Sequence, residues 1–244
     1  MPRAPRTRPA EAAISCGRDS EPDTDCPLCP RLAQLRASLR RAEPGWHNAP
    51  VPTFGTKDAR LLIVGLAPGL RGANRTGRPF TGDYAGELLY ETLIGFGFAD
   101  GKYQASPADG LRLISCAITN AVRCVPPQNR PAPAEVNSCL PFLAATMGSL
   151  ARLRVIVALG RVAHGSVIRG FGMRPAAAPF AHGLEHVLAG LDGPREIFLI
   201  DSYHCSRYNT NTGVLTREMF RSVFAKARAR LLEEIAFPPE SACR

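Results

Sequence analysis

The stretch Leu61–Leu89, LLIVGLAPGLRGANRTGRPFTGDYAGELL, decides how the rest of the chain is read. Leu61 to Leu66 is an apolar run of strand length, read as a buried strand. It opens into a long loop of Gly, Pro, Asn, Arg and Thr, and a helix starts near Tyr84 to Glu87. A polar loop suspended between two apolar elements is rarely mere connection. Gly65, Gly69, Gly72, Gly77 and Gly82 withdraw side chains where a ligand would meet backbone. The N–H groups of the helix start would face an anion or a carbonyl.

Working outward, the same alternation repeats. A helix is expected over about Gly86 to Phe96, and a second strand over Leu111 to Ile118, ending in Thr119-Asn120. A proline-rich loop, Cys124 to Pro133, leads to a helix to about Leu153. Arg154 to Leu159 reads as a third strand, followed by a helix near Arg161 to Gly170. Glu185 to Ala189 reads as a short edge strand and Glu196 to Ile200 as another strand, ending in Asp201-Ser-Tyr-His204. The last helix runs from about Thr216 to Ala236. Strands alternating with helices predict an α/β fold with a parallel sheet covered on both faces. In such a sheet ligands bind at the carboxyl ends of the strands. The Gly65–Gly69 segment, Asn120 and His204 all fall on that rim.

At 244 residues with 45% apolar content, the chain is large enough for a full core. The net charge of +9 makes a polyanionic partner plausible. No apolar run reaches membrane-spanning length, and MPRAPRTRPAEAAIS lacks a signal-peptide core, so a cytoplasmic protein with reduced or metal-bound cysteines is expected. Residues 1–24, rich in Pro, Arg and Ala, read as a disordered tail. One domain is expected over 25–237 and a second tail over 238–244. Apolar Leu28, Leu32, Leu35 and Leu39 lie at helical spacing, and Trp46, the single tryptophan, reads as a packing cap.

Four of the eight cysteines draw attention. Cys26-Pro-Leu-Cys29 forms a CxxC, and Cys124 and Cys139 lie far downstream. Four thiolates suit tetrahedral zinc or a [4Fe–4S] cluster, and spacing alone leaves both open. Cys116 reads as core.

Three motifs then coincide: GLAPGLRGANRTGRPFTGD (Gly65–Asp83), ITNAVRC (Ile118–Cys124) and HCSRYNTNTGVLT (His204–Thr216). Together with the four cysteines they resemble the type 5 (family 5) uracil-DNA glycosylases, the iron–sulfur branch of the uracil-DNA glycosylase superfamily, over about Cys26 to Ala236. The resemblance implies a single-domain three-layer sandwich with a central, mainly parallel four-stranded sheet. It implies a [4Fe–4S] cluster on Cys26, Cys29, Cys124 and Cys139, with zinc as the other occupant. It also implies a monomeric, monofunctional enzyme that flips uracil, and other deaminated bases such as hypoxanthine, out of double-stranded and single-stranded DNA and hydrolyses the glycosidic bond.

Under that resemblance Phe80 stacks on the extruded base and Asn120 reads its edge. Gly65, Ala67, Pro68 and Gly69 line the pocket, and His204 donates to the uracil O2 as charge grows on the departing base. Related glycosylases carry a carboxylate or Asn next to the Ala67-Pro68 position. Here Leu66 stands there, as is usual for type 5 enzymes, so Asp83 becomes the candidate to support the sugar cation and position water. Asp83 also suits an N-cap. Arg75, Arg78, Ser206, Arg207 and Tyr208 are the expected DNA contacts, with Arg71, Arg123 and Arg130 as further phosphate partners and the His204–Gly213 loop as the wedge. The residue after His204 is often Pro in the family, and here it is Cys205. Two other readings compete. One is a catalytically weak or inactive damaged-DNA-binding protein on the same fold. The other, a phosphate-binding α/β enzyme, lacks a Walker lysine after its glycine loop.

Overall fold

A computed structural model describes residues 21–190 and 196–236. Three pentapeptides make the centre of the sheet: β2 (Leu61–Gly65), β5 (Cys116–Asn120) and β6 (Val155–Leu159) are buried along their whole length. Strands apolar on both faces belong inside a parallel sheet covered by helices. β8 (Glu196–Ser202) extends that arrangement, so β5, β2, β6 and β8 run parallel in that order.

Among the described residues the sheet has six strands rather than four, because short antiparallel strands flank the parallel four on both sides. These are β1 (Phe54–Gly55), beside β5, and β7 (Glu185–Ala189), beside β8. The expected strand Leu111–Ile118 is in fact two. β4 (Arg112–Leu113) pairs antiparallel with β3 (Ala99–Asp100) in a separate ribbon. The backbone then turns at Ser115, with φ of 48°, before β5 begins. The sequence pattern alone does not reveal that break, because strand-favouring residues stand on both sides of it.

The pleat divides the core in two. Leu61 and Ile63 face α3 (Tyr84–Gly95) and α7 (Arg217–Ala236), packing with Leu89, Phe220 and Phe224. Leu62 and Val64 face the opposite layer, α4 (Pro133–Ser149) and α5 (Arg161–Gly170), with Leu143 and Val167. Each such fully buried aliphatic side chain contributes about 1.5–3 kcal/mol. α4 ends at Ser149, four residues short of the expected Leu153.

α1 (Pro30–Ala42) lies outside the sandwich, and only Leu32 and Arg36 on it are fully buried. Of the predicted N-terminal tail, residues 1–20 lie outside the described residues, but Glu21 does not behave as tail. Its carboxylate accepts from Thr53 N–H at 3.1 Å and meets the Arg123 guanidinium at 2.9 Å. The body therefore begins before residue 25. The 238–244 expectation also lies outside the described residues.

Candidate active site

β2 and β5 are neighbours, and the last residue of each, Gly65 and Asn120, are register partners. From β2 the chain crosses to β5 on one side, and from β5 it returns past β2 to β6 on the other, so the direction of winding reverses here. Such a switch point opens a crevice at the carboxyl ends of the strands. A cavity of about 670 Å³ occupies that position. Its walls come from the Leu66–Ala73 loop, Phe80, Asp83 to Ala85, Asn120, and the His204–Arg207 segment. The loop is partly ordered by a one-turn helix, α2 (Ala73–Thr76), which the sequence did not announce.

Glycines shape this cavity by what they omit. A Cβ on Gly65 would stand 2.4 Å from Asn120 Oδ1 and 2.6 Å from Phe80 Cζ. A Cβ on Gly72 would stand 2.3 Å from Asp83 Oδ2. Gly65 thus lets the amide and the ring meet at the pocket floor, and Gly72 clears space for the carboxylate.

Phe80 holds a positive φ of 52°, costly for a residue with a Cβ. Its carbonyl accepts from the Tyr103 hydroxyl at 3.2 Å, the same hydroxyl accepts from Gly82 N–H, and Tyr90 donates to the Pro79 carbonyl at 2.7 Å. These bonds offset the strain and aim the ring. It lies 6.0 Å from the His204 ring, centroid to centroid, at 28°.

Asn120 Oδ1 is buried and makes no hydrogen bond. An unpartnered buried amide oxygen costs on the order of 1–3 kcal/mol, and here it belongs to a residue that lines the cavity. Asp83 does two things at once. Oδ1 accepts from Gly86 N–H at 3.2 Å and caps α3, while the carboxylate lines the cavity. Burial raises its pKa, and the Gly86 and Ala85 N–H groups pull the other way. His204 is desolvated to a pKa of about 4, so its imidazole is neutral at physiological pH. Asn209 holds the His204 carbonyl from α6 (Arg207–Asn211) at 2.8 Å. Cys205, where proline is common, is a buried thiol donating to the Ala85 carbonyl at 3.5 Å. It ties the His204 segment to the start of α3.

The expected DNA contacts divide. Arg71, Arg75, Arg207 and Tyr208 are exposed on or beside the rim, and the Arg207 guanidinium lies 5.1 Å from the centre of the Tyr84 ring. Ser206 spends its hydroxyl capping α6, accepting from Asn209 N–H at 3.3 Å. Arg78 is a correction. It is 5% exposed, with both terminal nitrogens on Asp109 at 2.7 Å and Nε on Thr81 Oγ1. A guanidinium so committed does not reach a phosphate. Arg123 is corrected likewise, being fully buried against Glu21, Thr53 and Thr146. Residues of the cavity that the motif reading passed over are Tyr84 and Asn129. The positive φ of Asn129, 56°, reflects a turn that only the folded loop displays.

At the other end of the β5–α4 connection, Cys26, Cys29, Cys124 and Cys139 converge around one small hollow with Leu32, Val122 and Phe142. Arg36 Nη1 lies 3.6 Å from Cys124 Sγ, and Arg123 N–H donates to Cys139 Sγ at 3.3 Å. As bare thiols Cys29, Cys124 and Cys139 are held protonated by burial, Cys124 up to about 12 and Cys139 to about 11. A second donor cluster, His164, His186 and Asp201, has ligand atoms within 4.8 Å of one another. Its members are spread over 38 residues with no motif spacing, so the sequence did not mark it.

The family model described as the Uracil DNA glycosylase superfamily matches residues 52–228, and the chain belongs to that superfamily. Those residues run from just before β1 into α7 and include every wall of the cavity. Among curated proteins, the type-5 uracil-DNA glycosylase of Thermus thermophilus is 46% identical over 211 residues, covering 84% of this chain and 93% of its own. The type-5 enzymes of Pyrobaculum aerophilum and Mycobacterium tuberculosis are 39% and 42% identical, covering 84% and 83% of this chain and 88% and 77% of their own. Within the superfamily the chain groups with this type-5 branch, as its three motifs implied.

Proposed function

We propose that this chain is a monofunctional DNA glycosylase that extrudes uracil from DNA and hydrolyses its N-glycosidic bond. The observation that carries this reading is the Asn120 carboxamide, which lines the cavity together with Phe80 and leaves its Oδ1 without a partner among the described residues. Uracil presents an N3–H donor next to an O4 acceptor, and a carboxamide offers the complementary pair. Cytosine, with an acceptor at N3 and a donor at the exocyclic amine, inverts that pattern and leaves two buried groups opposed. Hypoxanthine presents N1–H beside O6, the same pair as uracil. A cavity of about 670 Å³ has room for a purine, which supports action on other deaminated bases.

Extrusion places the base against Phe80. As the C1′–N1 bond breaks, its electron pair passes into the uracil ring and the sugar becomes oxocarbenium-like. Neutral His204 donates an N–H to O2, where the negative charge collects. Asp83, ionised and adjacent, stabilises the sugar cation and orients the water that adds to C1′ and passes its proton to the carboxylate. Leu66 contributes no polar atom, so Asp83 carries that role alone. Arg75 and Arg207 contact phosphates, Ser206 shapes the turn between them and the pocket, and Tyr208, 73% exposed, enters the stack.

The four cysteines fit a [4Fe–4S] cluster. A single zinc holds four sulfurs about 3.8 Å apart, whereas the described three-donor groups within 4.8 Å include none of these cysteines. Such spread, with N–H groups of Arg36 and Arg123 directed at sulfur, favours the larger group. When bound it would clamp the α1 segment to the β5–α4 loop.

A single-turnover assay on uracil- and hypoxanthine-containing duplexes and single strands, with Asn120→Ala, Asp83→Ala and His204→Ala, tests the reading. Removal of one such group is expected to slow base release by about 10²–10³-fold. No release by the wild-type chain from any substrate, with binding retained, would leave a damaged-DNA-binding protein instead.

A further inference from the structure

The second donor cluster lies apart from the pocket and is independent of the glycosylase reading. His164 projects from α5, His186 from β7 and Asp201 from β8. Antiparallel pairing of β7 with β8 brings the last two together, and the α5 turn after β6 delivers the first. Asp201 is fully buried and His164 is 3% exposed.

His164 Nε2 lies 2.8 Å from the Ala178 carbonyl oxygen. A carbonyl only accepts, so the ring proton sits on Nε2, and in the neutral ring Nδ1 presents a lone pair. That lone pair points at Asp201 Oδ1, 2.7 Å away. Two lone pairs at that distance repel unless a cation lies between them. The other carboxylate oxygen accepts from Ala181 N–H at 3.4 Å and faces His186 Nε2 at 3.5 Å. That nitrogen is buried and makes no hydrogen bond among the described residues. A proton on His164 Nδ1 would satisfy the first contact and leave His186 Nε2 orphaned. A divalent cation satisfies both.

We propose that His164 Nδ1, His186 Nε2 and the Asp201 carboxylate form a structural site for a divalent transition-metal ion, with zinc as the fit. Tetrahedral zinc with nitrogen and oxygen ligands spaces its donors about 3.3 Å apart. The 2.7 Å contact need open by only roughly half an ångström and the 3.5 Å contact close slightly to meet that spacing. Asp201 and His164 are closed off from solvent, so the site holds an ion rather than admitting a substrate to it. The Nε2–H of His164 on a backbone carbonyl is the outer contact that fixes a metal-bound imidazole in the right tautomer. Nitrogen and oxygen donors also separate it from the thiolate site, which selects a softer occupant. A metal here would pin α5, β7 and β8 together three residues before His204.

The test uses the iron-loaded, full-length protein, incubated with zinc sulfate and desalted. Zinc and iron contents are measured, and zinc K-edge absorption is recorded, beside His186→Ala and Asp201→Asn. One retained zinc per chain is expected, with a nitrogen/oxygen first shell free of sulfur. Each substitution should weaken zinc retention by roughly tenfold or more and leave iron unchanged. No retained zinc in the wild type, a sulfur first shell, or retention unchanged in both variants would overturn the proposal. Should a variant fail to fold, the wild-type spectrum decides. Base release is read separately, so failure of the glycosylase reading and failure of the metal site remain distinct.

Discussion

Arg78 and Phe80 stand two residues apart in one loop, yet their surroundings treat polarity in opposite ways. Around Arg78 every polar group is answered. Asp109 accepts from both terminal guanidinium nitrogens and from the N–H groups of Gln104 and Leu111. Phe54, Tyr90 and Tyr103 lie 5.3, 5.3 and 5.9 Å from the guanidinium. Around Phe80 the backbone is strained, an amide oxygen is unpaired and a carboxylate is partly desolvated. The contrast explains how the pocket persists. Strain and unpaired groups survive only where neighbouring structure over-determines them, and the Arg78 brace supplies that support through Tyr90 and Tyr103, whose hydroxyls hold the Pro79 and Phe80 carbonyls.

Breaking the brace should produce the largest effect. Asp109→Ala strands a buried guanidinium and should cost about 3–5 kcal/mol of stability, seen as a lower midpoint in denaturant. An unchanged midpoint would mean that the brace is ornamental. Arg78 holds the Asp109 carboxyl well below the usual carboxylate range. Its folded pKa is depressed, so the contribution is present at neutral pH and disappears as acid carries the pH below about 4.

Gly72→Ala strikes the other region. The new Cβ would displace Asp83 from its position, since it would lie 2.3 Å from Oδ2. Base release should slow by about 10²-fold, with little change in the midpoint of unfolding. Equal rates for wild type and variant would remove Asp83 from the chemistry.

The pH profile sharpens the same contrast. Burial raises the Asp83 pKa, so its ionised form is lost at a higher pH than for an ordinary carboxylate. The acid limb of kcat/KM should therefore lie above about 4, and Asp83→Asn should abolish it along with most activity. His204, already neutral down to about pH 4, should not contribute to that limb. Its folded pKa is below the unfolded value, so it favours the folded state above about pH 6.5 and costs stability as the pH falls towards 4. The smallest effect is expected at the rim. Arg75→Ala should reduce the salt slope of DNA binding by about one, read by titrating affinity against salt.

Much of the site was legible because its chemistry sits in contiguous motifs. The glycine loop, Asn120 at a strand end and His204 after the last parallel strand all converge on the cavity, as the α/β alternation requires. The misreadings share one physical origin. Arg78 and Arg123 lie in polar loops and carry the charge of phosphate contacts, but Asp109 and Glu21, 31 residues downstream of one and 102 upstream of the other, claim them. A partner that distant leaves no local signature. The break at Ser115 was hidden because strand-favouring residues stand on both sides of its left-handed turn.

Hydrophobic period and motif spacing are local properties, so the sandwich, its buried parallel strands and the residue types at the carboxyl rim can be read along the chain. Folding in three dimensions settles which charges are free, which amide is left unpaired and where the edge strands close the sheet. It alone gathered His164, His186 and Asp201 as well. Those outcomes depend on which distant groups meet, and on how completely each meeting removes them from water.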